Sequence, residues 1–296
     1  MAQNAIYQNA VSVRTLLPEH WSEHEIVRFW IISSDFSNLQ GKYFLSRLMK
    51  FVEKFSNHDV SANFFQIITD YETKESEVFV GFDDKMPTLT IMDKIIKGPK
   101  GYYAVLMSPV FEDNPDSVDI ADRSITFARG TLCAMFGDAI AHQVLTKIFV
   151  LKNEETKFMT GSRRMPVSRS VAEYKIEEDV ETLKNTNITD PIIRSRIERC
   201  LTLIGRAQDS YDRRLRFFDF WTALEAVFGG YRNLAGHIDK MQGAPESQAA
   251  LRDLKERRRI MIHDGQEVPF ELIDEELITK TIWSEVMARI DRHSVR

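Results

Sequence analysis

Leu251, Leu254, Arg258, Met261 and Ile262 recur at helical spacing ahead of an Asp264-Gly265 stop. At about 100° per residue, with Leu251 at zero, they fall at about 0°, 300°, 340°, 280° and 20°. A helix carrying such a stripe must bury it, so the chain around it has to supply packing partners. Arg258 lies within the stripe, where a guanidinium requires a partner. Arg259 and His263 fall at about 80° and 120°, one turn apart on its edge. Gly265 is expected to cap the helix, which puts His263 in the last and most accessible turn.

A second helix holds the complementary oddity. Tyr211 to Phe228 is dense in aromatic residues and stops at Gly229-Gly230. Counted from Leu215, residues Phe218, Trp221, Leu224 and Phe228 span about 180° to 300°, and Glu225 falls inside that sector at about 280°. An acid in one apolar stripe and a base in the other are expected to meet across a bundle, the carboxylate holding the guanidinium. The competing expectation is that both side chains snorkel to the surface.

The rest of the C-terminal half is also helical from about Glu177. A short helix is expected from Asp179 to Lys184, and Asp190-Pro191 is an N-cap and N1 pair opening a helix through Cys200 and Ile204. Ala244-Pro245-Glu246 starts the helix that carries Arg258, and Glu271 to Ile290 closes the set. These lengths suit a small up-and-down bundle. The N-terminal half is mixed: a helical pattern over Gln40 to Phe55, strand-like runs at Glu77–Phe82 and Tyr102–Met107, and a long apolar helical region from Ile120 to Phe149, with a break near Gly137. No glycine-rich phosphate loop follows either strand-like run. The fold class is therefore read as α+β, with a mixed α/β domain over 1–170 and a helical bundle over 171–296.

Between Glu154 and Ser170 the periodicity lapses into a basic loop with Arg163, Arg164 and Arg169. Its plain reading is a solvated linker; its sharper one is a phosphate-contacting loop that feeds RNA to the C-terminal site. His20 and His24 have metal-compatible spacing with no further ligands near, so an exposed amphipathic turn is the better reading and no metal or cofactor is expected. The net charge of −5 provides no global basic field for nonspecific nucleic-acid binding but leaves a local site open. With only Cys133 and Cys200, a disulfide framework is excluded and a reducing cytoplasm is the natural compartment. Neither a signal peptide nor an apolar run of membrane-spanning length is evident.

The string Arg-Phe-Phe-Asp-Phe-Trp-Thr-Ala-Leu-Glu-Ala-Val-Phe (Arg216 to Phe228), a glycine break, and then Arg-Arg-Ile-Met-Ile-His-Asp-Gly (Arg258 to Gly265) resembles HEPN domains, with the ApeA-like branch nearest. The likeness covers about 177–296. It implies a helical bundle that dimerises and, in many members, cleaves RNA without a metal in toxin and phage-defence systems. It also implies that Arg258 and His263 match the paired catalytic positions and Glu225 the recurring acid. The residue after the arginine is commonly Asn, Asp or His in active members and is Arg259 here. A non-catalytic HEPN module for dimerisation or partner binding is therefore the second implied reading.

The chemistry agrees with the first reading. Metal-free RNA cleavage needs a group that moves protons near neutrality, which an imidazole does, and a cation for the phosphorane charge, which a guanidinium supplies bidentately. His263 and Arg258 fill those roles, Arg259 and Arg257 add candidate phosphate contacts, and Arg163 and Arg164 extend the RNA path. Five residues on a helix turn two side chains about 140° apart. Two copies facing across a two-fold axis would complete one cleft, so a homodimer is expected. The N-terminal part is then expected to sense a protein or phage trigger, or to restrain the site.

Overall fold

The computed structural model describes residues 26–34, 49–52, 55, 61–67, 71–83, 86–98, 101–110, 116–136, 144–151, 156–159, 183, 188–208, 210, 212–241 and 245–293. The His20/His24 pair, Arg163, Arg164 and Arg169 lie outside them.

The main helices among these residues are α1 (Ser117–Phe136), α2 (Pro191–Ala207), α3 (Arg213–Phe228), α4 (Tyr231–Lys240), α5 (Pro245–His263) and α6 (Leu272–His293). Their ends follow from local chemistry. The Asp190 carboxylate accepts the Ile192 and Ile193 N–H groups at 2.8 and 3.3 Å, with Pro191 in the first turn. Asp212 repeats the arrangement for Arg214 and Leu215. Gly229 takes φ 79°, and the Gly230 N–H donates to the Glu225 carbonyl, a Schellman stop that favours glycine. Gly265, φ 66°, follows the last turn of α5, and His263 is exposed there as its position in the sequence requires. Helix α4 was not anticipated. Its signal is slender, with Leu234 and Ile238 four residues apart as the buried pair around Gly236.

Backbone strands β1 (Ile26–Ser34), β2 (Ser61–Ile67), β3 (Tyr71–Asp83), β4 (Met86–Gly98), β5 (Gly101–Val110), β6 (Val144–Leu151) and β7 (Thr156–Met159) precede the bundle. Five pair in the antiparallel order β2-β5-β1-β6-β7, and β3 pairs with β4. The helical expectation for Ile120–Phe149 thus holds only as far as Phe136. Val144–Leu151 is a short apolar run, and periodicity alone does not separate a buried strand from a helix there.

Helix α1 packs against α2, α6 and β5, and most of its circumference is buried. Two glycines let α1 and α2 touch at the backbone. A Cβ on Gly130 would stand 1.7 Å from the Leu201 carbonyl oxygen, and one on Gly205 would stand 2.0 Å from that of Thr126. One apolar cluster joins Phe127, Leu132, Ile197, Leu201, Phe217, Phe220, Trp221, Leu254, Ile282 and Val286. Each fully buried large side chain contributes roughly 1.5–3 kcal/mol relative to exposure.

The apolar sector of α3 differs from the sequence reading. Its buried residues are Arg216, Phe217, Phe220, Trp221, Ala223, Leu224, Val227 and Phe228. On the same wheel they span about 80° to 240°, so the core-facing side is rotated toward Phe220 and Val227. Glu225 and Phe218 sit at its border, half-buried. The charge inside the stripe is Arg216, which is 1% exposed. Its guanidinium forks onto both Glu275 carboxylate oxygens from α6 and donates to the Ala207 carbonyl at 3.2 Å and Gln208 Oε1 at 3.3 Å. The Gln208 amide donates to Cys133 Sγ at 3.0 Å, so one polar chain links α1, the end of α2, α3 and α6. No helix among the described residues is long and apolar enough to cross a membrane.

Candidate functional site

Arg258 and Glu225 meet as their two helices require. Arg258 Nη2 lies 2.9 Å from Glu225 Oε1, with the side chains 24% and 19% exposed, so both are partly withdrawn from solvent. The same oxygen accepts the Trp221 indole N–H at 2.5 Å, one turn earlier on α3. The Arg258 guanidinium carbon stands 5.2 Å from the Tyr231 ring centroid and 6.0 Å from that of Trp221. The carboxylate and two aromatic rings thus hold the cation at the half-buried border of the core, where cation–π attraction adds to the ion pair. Lys255, three residues before Arg258, also stands over Tyr231 at 5.8 Å.

The neighbouring arginines are separated by their partners. Arg257 bonds to Asp253, to Asp274 at 3.0 Å and to the Pro269 carbonyl at 3.1 Å, tying α5 to the start of α6. Asp274 in turn accepts the Glu271 N–H at 2.9 Å, closing the first turn of α6. Arg259 forks onto Glu256 at 2.7–3.0 Å on the exposed face. That hydrogen bonding from Arg259 holds the Glu256 carboxyl below the usual carboxylate range. Of the three, Arg258 alone faces Glu225.

His263 stands exposed in the last turn of α5 and makes no hydrogen bond or ion pair among the described residues. It lies about 7.5 Å along the helix from Arg258 and about 140° around it. A single chain therefore gathers Arg258 with Glu225, Trp221 and Tyr231, and leaves the histidine on another face. Among the described residues no group of His, Cys, Asp and Glu has the arrangement to hold a metal ion.

On the other side of Glu225 an open groove of about 350 Å³ runs between α2 and α3. Arg196, Arg199, Thr222, Glu225 and Gly229-Gly230 line it. The two α2 arginines were not anticipated as site residues. Their signal in the sequence is the spacing Arg196-x-x-Arg199, but only the packing of α2 on α3 shows what they face. Comparison of the chain with protein-family models, with curated proteins and with solved structures returned no match.

Proposed function

We propose that the chain is an α+β protein with a mixed α/β part over 1–170 and a HEPN-type bundle over 171–296, and that the bundle is a metal-independent endoribonuclease. The observation that carries this reading is the Glu225–Arg258 pair, a guanidinium oriented by a carboxylate and two rings at the edge of the core. A cation fixed in this way requires little reorganisation when charge develops on a phosphorane. In the reaction, an imidazole takes the proton of a ribose 2′-hydroxyl as the 2′-oxygen bonds to phosphorus. The bond from phosphorus to the 5′-oxygen breaks, and that oxygen takes up a proton. The products are a 2′,3′-cyclic phosphate and a 5′-hydroxyl. Arg258 bears the charge on the non-bridging oxygens, Glu225 positions Arg258, and His263 moves the protons. Arg257, Arg259, Arg163 and Arg164 are proposed RNA contacts outside this centre.

Because His263 points away from Arg258 within one chain, the proposed cleft needs a second copy. Ile262, 43% exposed beside His263, together with exposed Leu272 and Ile273, supports a pairing surface at this end of the bundle. The expected biological setting is a cytoplasmic phage-defence effector or toxin whose N-terminal part senses a trigger. A second reading, a non-catalytic HEPN interaction module, is favoured by the engagement of Arg258 with Glu225 and by the Arg259–Glu256 pair next to it.

The deciding experiment is incubation of mixed RNA with purified full-length protein in EDTA, beside His263→Ala. Cutting that leaves cyclic-phosphate ends and disappears in the variant establishes the nuclease. If a folded dimer cuts nothing, with or without infected-cell extract as a source of trigger, the interaction module is the correct reading.

A further inference from the structure

We infer that the groove between α2 and α3 binds a phosphate group through Arg196 and Arg199. It rests on the ribonuclease reading only for the source of that phosphate, which would be the backbone of RNA. The anion site itself follows from the groove.

Arg196 and Arg199 have no hydrogen-bond or ion-pair partner among the described residues. This sets them apart from Arg206, Arg216, Arg257, Arg258 and Arg259, each of which has a carboxylate. The Arg196 guanidinium is laid against Gly229, where a Cβ would stand 2.7 Å from its central carbon. Gly229 therefore serves the helix stop through its positive φ and the groove through its missing side chain. Glu225, the acid on the wall, does not cancel the site, since Arg258 and the Trp221 indole both engage its Oε1. Thr222 adds a neutral polar side chain to the lining. Two guanidiniums without partners among the described residues and a neutral side chain in one concavity are a setting that a phosphate takes.

The test is fluorescence anisotropy of a labelled ten-nucleotide RNA on full-length His263→Ala protein in EDTA, with and without Arg196→Ala plus Arg199→Ala. Each lost charge-assisted contact is expected to weaken binding about tenfold. The dependence of log affinity on log salt should flatten by about 1.4 when both arginines are gone. Competition by adenosine monophosphate and by inorganic phosphate identifies the source. Displacement by unlabelled RNA alone assigns a polynucleotide backbone, and displacement by the monophosphate assigns a free nucleotide; both uphold the phosphate site. Unchanged affinity and salt slope in a folded double variant overturn it. Should the double variant fail to fold, the single exposed charge reversal Arg199→Glu must lower affinity, or the proposal falls. The two readings separate cleanly. Arginine-dependent binding without cleavage by wild-type protein leaves the groove standing and removes the nuclease. Cleavage with KM unchanged in the double variant removes the groove and leaves the nuclease.

Discussion

Replacing Arg216 by methionine exposes how much of the bundle depends on one buried charge pair. Arg216 and Glu275 are 1% and 3% exposed at the side chain, so the variant takes from a buried carboxylate the guanidinium that forks onto both of its oxygens. Stripping one partner from such a pair costs about 3–5 kcal/mol. The Ala207 carbonyl and Gln208 Oε1 lose their donor as well, which places the expected loss toward the upper end. Against a typical total of about 5–15 kcal/mol, that is a third of the stability or more. Removing both charges with Arg216→Met plus Glu275→Leu should return the protein to within about 2 kcal/mol of wild type. Urea unfolding followed by tryptophan fluorescence measures all four corners of the cycle, with an expected coupling of about 3 kcal/mol. Single variants that lose less than about 1 kcal/mol each, additively, would refute the reasoning, because they would mean that water reaches the pair.

Other outcomes follow from the packing. Gly205→Ala drives a methyl group into the Thr126 carbonyl, so α1 and α2 must separate; a loss of about 3 kcal/mol is expected, read as a fall in Tm by calorimetry. An unchanged Tm would show that the two helices do not touch there. Burial pushes the Cys200 thiol well above its ordinary range, the nearby Arg289 charge offsetting this only in part, so iodoacetamide at pH 8 should label it at the rate of unfolding. Rapid labelling of the native protein at Cys200 would contradict its burial.

The sequence by itself determined where α2 begins and where α3 and α5 end, because those signals are local. Asp190-Pro191, Gly229-Gly230 and Gly265 each act within one turn, through a cap bond or a positive φ. It also pointed to a meeting of Glu225 and Arg258, against the alternative that both reach the surface, and the pair forms although Glu225 stands at the border of the buried sector of α3. The finer rotation of α3 was not legible there. Nearly every position of that helix is aromatic, aliphatic or charged, so several apolar sectors fit the string equally well. Packing on α2 and α6 selected the one that buries Arg216, with Glu275 contributed from 59 residues away. The Gly130–Gly205 crossing is likewise a decision of tertiary structure, because a glycine within a helix does not say which backbone will approach it. The groove beside Glu225 exists only once α2 lies along α3. That placement gives Arg196 and Arg199 a concavity to face, and no spacing along a single helix specifies what stands opposite.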